Sequence, residues 1–142
     1  MSRRLGIAIV VVVVIALLMV LIGNVATAHT NPPVTYTIQW DSPETEALAR
    51  AACFDCHSNE TVWPWYSYVA PMSILVAHDV EEGREKMNFS TGHGELEGRE
   101  MAEQIERGAM PLGIYLPLHP EANLSDAQKA QLIQGLRATF GR

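Results

Sequence analysis

The chain has 142 residues, of which 48% are hydrophobic, a formal charge of −6 and two cysteines. That length suits one small domain rather than several, and an acidic balance excludes a nucleic-acid role built on clustered Lys and Arg. Two cysteines are also too few for a four-thiolate zinc site.

Leu5 to Gly23 carries no charge and is dominated by Val, Ile and Leu. A helix over it is long enough for the ~30 Å hydrocarbon core of a bilayer. Arg3 and Arg4 precede it, so the positive-inside bias holds the N-terminus in the cytoplasm and places everything after residue 28 on the extracytoplasmic, periplasmic side. Ala26-Thr27-Ala28 also fits the small-residue pattern of a signal-peptidase site, so 1–28 reads as a membrane anchor or a signal segment. The apolar run exceeds the roughly 7 to 15 residues of a signal core, which favours a retained anchor over secretion after cleavage near Ala28. Sixteen acidic and eight basic residues follow residue 28, a formal charge of −8. This keeps a domain soluble and suits protein partners with basic docking faces.

Residues 29–41 contain Pro32 and Pro33 and no helical period, and so predict an extended tether ahead of a domain over 42–142. Ser42 is a good N-cap, Pro43 fits a first helical turn, and Glu44 and Glu46 complement the helix dipole. A helix should therefore run through Leu48 into Cys53-Phe54-Asp55-Cys56-His57. That run is C-x-x-C-H, in which two thiols three positions apart on one helical turn can bond a haem's vinyl groups while the next histidine faces the iron. Zinc, a redox dithiol and a plain disulfide are the alternatives. Zinc lacks ligands, since His29, His78, His93 and His119 are scattered. The dithiol reading lacks an alternating strand and helix pattern around the motif and has no required part for His57.

Trp63-Pro64-Trp65-Tyr66-Ser67-Tyr68 concentrates aromatic side chains that need something large to pack on, and Trp63, Trp65 and Tyr66 are candidates to line a haem face, against an ordinary aromatic core corner. Met72 to Lys86 predicts a helix with Met72, Leu75, Val76 and Val80 near one stripe. Asn88 to Gly94 reads as a polar loop. Glu95 to Arg107 predicts a further helix with Leu96, Met101 and Ile105 inward and Gly108 as a left-handed cap. Ser125-Asp126-Ala127-Gln128 is a capping box that opens a last helix with Leu132, Ile133 and Leu136 buried and Gly141 at its end. The fold class is mainly α: a small cytochrome c-like helical domain with long loops, preceded by one N-terminal transmembrane helix.

A six-coordinate haem needs a second axial ligand besides His57. Met110 follows Gly108-Ala109 and precedes Pro111, in a loop just past a helix, where proline stiffens the chain presenting the sulfur. Its rival reading is a buried gap-filler, and its rival ligand is His78.

Ala52–Thr61, Trp63-Pro64-Trp65-Tyr66-Ser67, Gly83-Arg84 with Asn88-Phe89-Ser90, and Gly108-Ala109-Met110-Pro111 together resemble the bacterial haem-binding domain family, over about residues 31 to 140. Tyr115, His119-Pro120 and Leu124-Ser125 follow in the order such proteins show. Ile74 and Thr91-Gly92-His93-Gly94 depart from it, standing where such proteins often carry aromatics. The resemblance implies an exported, often membrane-anchored protein with one haem held by Cys53, Cys56 and His57. The expected role is an electron carrier with one covalent haem c, not an enzyme. The alternative is a haem enzyme or gas sensor whose sixth position is open or displaceable. No nucleophile–base set, phosphate loop or paired-carboxylate arrangement stands out.

Overall fold

The computed structural model describes residues 2–94 and 96–141. The chain divides into two compact units: residues up to Thr30 with Val62–Val80, and Asn31–Thr61 with the residues from Glu81 onward. The fold is mainly helical, as the sequence predicts.

The first unit contains helix α1 (Arg3–Ala26), which starts on the Ser2 hydroxyl and is long and apolar enough to cross a membrane. Gly23 is its one buried position among the described residues. A β-carbon there would run into the Tyr68 carbonyl, so glycine is what lets the chain at 68–69 lie against the helix. Asn24 Nδ2 donates to the carbonyls of Val20 (2.8 Å) and Tyr68 (3.3 Å), and Ala70 N donates to the Met19 carbonyl at 3.1 Å. Trp65–Tyr68 forms a 3₁₀ turn in this unit. Helix α4 (Met72–Lys86), with the bounds the sequence predicts, supplies residues to both units.

In the second unit, α2 (Pro43–Ala52) begins as predicted, with Ser42 Oγ accepting from Thr45 N at 3.1 Å. It does not run on through the C-x-x-C-H motif. The helix breaks at Cys53 (φ −128°, ψ −34°), and a separate turn, α3, spans Phe54–His57. A straight helix would set Phe54 roughly 140° around from Ala49. The break lets both enter the core, where Ala49 is fully buried and Phe54 nearly so.

Two further expectations are refined. The segment expected as an extended tether is extended, and from residue 35 onward it is bonded to this unit: Thr35 and Tyr36 N–H groups both donate to the Ser90 carbonyl, and Ile38 and Trp40 pack on the core. The 88–94 loop contains a two-residue antiparallel ribbon, β1 (Met87–Asn88) with β2 (His93–Gly94), paired Met87 to Gly94 and Asn88 to His93. Strands of two residues are too short to show alternation in sequence.

Helix α5 spans Gly98–Glu106. Of its expected start, Glu95 lies outside the described residues, and Leu96, whose N–H donates to the Gly94 carbonyl, precedes the helix. Met101 and Ile105 face inward, and the chain leaves at Gly108 with φ +68°. Helix α6 (Asp126–Phe140) has both bonds of the capping box. Leu132 and Leu136 are each 1% exposed and close the core with Ala49, Phe54, Phe89, Met101, Ile105 and Leu124.

Candidate functional site

The C-x-x-C-H turn is held by a network of hydrogen bonds, all within the second unit. Phe89 N donates to the His57 carbonyl at 2.9 Å. Ser58 Oγ donates back to the Phe54 carbonyl and accepts from Glu60 N, while Thr61 Oγ1 donates to the Asp55 carbonyl. Asn59 N donates to Ser90 Oγ, Asn88 Nδ2 to Asn59 Oδ1, and Ser90 N to Asn88 Oδ1. Ser58, Asn59, Thr61, Asn88 and Ser90 are all buried, so each polar group needs these partners to offset its desolvation. Arg84 crosses the same segment. Its Nε donates to the Ser58 carbonyl at 2.7 Å, and an Nη reaches Asn31 Oδ1 and Thr61 Oγ1, both at 2.9 Å.

Gly83 explains how α4 comes so near. A β-carbon there would lie 2.5 Å from the Cys56 carbonyl oxygen and 3.1 Å from Cys56 Cβ, so only glycine permits the approach. Its carbonyl accepts from His57 Nδ1 at 2.8 Å, with the Met87 carbonyl at 3.4 Å. With Nδ1–H so engaged, the lone pair of the imidazole is on Nε2, the tautomer a metal ligand needs. Burial lowers the pKa of His57, which further favours the neutral ring.

Cys53 and His57 line a cavity of about 660 Å³. That falls in the ~300–1,000 Å³ range of cofactor pockets. Ala52, Ile105 and Leu136 give it apolar walls, Met87, Met101 and Met110 add three thioethers, and Glu85, Lys86, Glu100 and Gln104 add polar groups. Met110 is held by its N–H on the Gln104 carbonyl at 3.1 Å. The cavity therefore brings together three of the residues singled out in sequence: Cys53, His57 and Met110. Cys56 follows on the same turn, half-buried. His78 lies on an exposed face of α4 in the first unit.

The aromatic candidates fall in the first unit. Trp63 meets His29 edge-on at 4.8 Å, and its Nε1 is buried without a hydrogen-bond partner among the described residues. His29 stacks on Tyr68 at 4.1 Å, with Nε2 2.6 Å from the Ser67 carbonyl. Trp65 meets Tyr66 edge-on at 5.9 Å and is largely exposed. The rings that support the motif are others. Phe54, inside the C-x-x-C-H run, stacks on Phe89 at 5.2 Å, with Trp40 and Phe140 around Phe89 at 5.9 and 6.0 Å. Sequence reasoning missed this cluster, whose members lie at positions 40, 54, 89 and 140.

Tyr115 and His119, family markers in the sequence, meet the motif in a way the sequence did not reveal. Tyr115 Oη donates to Asp55 Oδ2 at 2.7 Å, and its ring stacks on His119 at 3.7 Å. Burial and the Asp55 carboxylate hold the Tyr115 phenol well above its ordinary pKa, so it stays a donor. Asp55 lies between the two cysteines, so this bond fixes the motif from the side chain at its centre.

The chemistry bears on the readings of the motif. Burial, with Cys56 nearby, pushes the Cys53 thiol up to about 12, the opposite of a dithiol poised for exchange. The cysteines are not joined in a disulfide. Among the described residues no three His, Cys, Asp or Glu side chains are grouped to hold a metal ion unaided. An apolar cavity with a thiol, an oriented imidazole and a thioether on its walls fits a haem.

A family model described as the haem-binding domain matches residues 11–138. The chain belongs to the haem-binding domain family. No curated protein and no solved structure matches the chain. As a member of that family it is a haem-binding protein. The motif residues that carry the family likeness, Ser58, Asn59, Thr61, Gly83, Arg84, Asn88 and Ser90, are the ones that hold the Cys53–His57 turn in place.

Proposed function

We propose that this haem-binding domain protein carries a single haem c, bonded through Cys53 and Cys56 and ligated by His57 Nε2 and Met110 Sδ, and that it is an electron carrier rather than an enzyme. The observation that carries the reading is that Cys53, His57 and Met110 share one cavity in which His57 Nδ1 is already taken by the Gly83 carbonyl. When bound, the haem iron supplies reversible one-electron transfer. The chain's own residues do the rest. Gly83 aims the imidazole, Met101, Ile105 and Leu136 keep water off the cavity wall, and the Met110 thioether raises the reduction potential relative to a second imidazole. Lys86 is the cation lining the cavity and suits a carboxylate of the group bound there.

Helix α1 is proposed as a retained anchor with the haem domain on the extracytoplasmic side. Support comes from its last turns: Gly23 shaped to the Tyr68 carbonyl and Asn24 bonded to it are contacts that a discarded signal segment would have no use for. The acidic domain suits redox partners with basic docking faces.

Haem staining on a denaturing gel tests the covalent bond, and Cys53→Ala with Cys56→Ala should abolish it. The reduced-minus-oxidised spectrum tests the ligands, and an axial signature unchanged in Met110→Ala rules out Met110. Carbon monoxide separates carrier from catalyst. The wild-type ferrous protein should bind it slowly or not at all at neutral pH, and rapid binding would favour a haem enzyme or sensor.

A further inference from the structure

The first unit carries an uncharged surface whose position on α1 says what it meets. Residues 61–77 contain no acidic, basic or histidine residue, in a chain with sixteen carboxylates. Within that stretch Val62 is 75% exposed, Trp65 79% and Ile74 52%. A tryptophan this exposed in a soluble setting leaves a large apolar face in water, and three such residues in one segment call for a partner.

The same segment is bonded to the apolar helix. Ala70 N donates to the Met19 carbonyl and Asn24 Nδ2 to the Tyr68 carbonyl, and the chain at 68–69 lies directly against Gly23. Met19 lies four residues inside the end of the apolar run, roughly 6 Å along the axis. Residues 68–70 therefore sit where acyl chains give way to headgroups around an inserted α1. At that depth tryptophan and tyrosine are favoured, since the ring body meets hydrocarbon while the N–H or O–H meets water and headgroups. Charged side chains there would be costly, and the segment has none.

We infer that residues 62–74 form a membrane-interface foot, with Trp65, Val62 and Ile74 resting in the headgroup and upper acyl region of the bilayer that α1 spans. The inference rests on the anchored reading of α1. The foot gives the first unit a second attachment to the lipid surface besides the helix, and it restricts swinging about the end of α1.

The test uses the full chain, haem included, in phosphatidylcholine vesicles whose acyl chains carry bromine at shallow or deep positions. Shallow bromines should quench wild-type tryptophan emission about twofold more than they quench Trp65→Phe, with deep bromines separating the two proteins less. Equal quenching of both proteins by shallow bromines, in vesicles that retain the protein through alkaline washing, overturns the foot and leaves the anchor standing. Loss of the protein on alkaline washing overturns the anchor, and the foot with it. The haem absorbance of Trp65→Phe, unchanged from wild type, shows that its fold is intact.

Discussion

The molecule has two aromatic groups built on opposite plans. Trp63, Trp65, Tyr66 and Tyr68 are crowded within six residues, yet Trp65 is largely exposed, while Trp63 and Tyr68 pack on His29, 34 and 39 positions earlier in the chain. Trp40, Phe54, Phe89 and Phe140 are spread over 101 residues of sequence, yet they meet in one cluster beneath the C-x-x-C-H turn. Density in sequence marks a half-buried turn with one exposed ring here, and dispersion marks a core. The reason is that a six-residue stretch cannot surround anything, whereas rings brought in from an extended segment, a helical turn, a β-ribbon and a C-terminal helix can enclose one another.

Phe89→Ala breaks the dispersed cluster at its centre, where Phe89 is 2% exposed, and should cost about 3–5 kcal/mol in denaturant unfolding. Gly83→Ala leaves both aromatic groups intact but drives a methyl group into the Cys56 backbone. It should cost about 1–3 kcal/mol and reduce haem per chain, measured by pyridine haemochrome. Tyr115→Phe removes only the bond to Asp55 and should cost about 1 kcal/mol with full haem content. Trp65→Ala, in detergent, should change stability by less than about 0.5 kcal/mol. If Trp65→Ala destabilised the protein as much as Phe89→Ala, the contrast between the groups would collapse.

The helices were legible because their signals are local. Ser42, the Ser125–Gln128 capping box and Gly108 mark ends with side chains or backbone torsions that act within one turn. The break at Cys53 was not legible, because it is imposed by the need to bury Ala49 and Phe54 together, and that depends on Phe89, 35 positions further on. The same holds for residues 31–41. Their prolines speak of extension, but the Ser90 carbonyl that holds Thr35 and Tyr36 is far away in sequence. At the site, the residues that carry chemistry, Cys53, His57 and Met110, could be read from the motif and its spacing. Those that position them could be recognised only as family markers. The work of Arg84, Asn59 and Tyr115 lies in bonds across 23 to 60 residues.

One bond has a consequence for the thermodynamics of the whole site. Helix α4 ends at Lys86, so Gly83 is the first of the four residues whose carbonyls a helix end leaves without an intrahelical partner. His57 Nδ1 supplies that partner at 2.8 Å, which makes the imidazole a C-terminal cap of α4 as well as a candidate ligand. The negative end of the helix dipole favours a donor there, and so keeps the proton on Nδ1. Fraying of the last turn and disorientation of the ring are then a single event. By linkage, whatever binds Nε2 must tighten the end of α4 by the same free energy with which a well-formed helix end strengthens that binding.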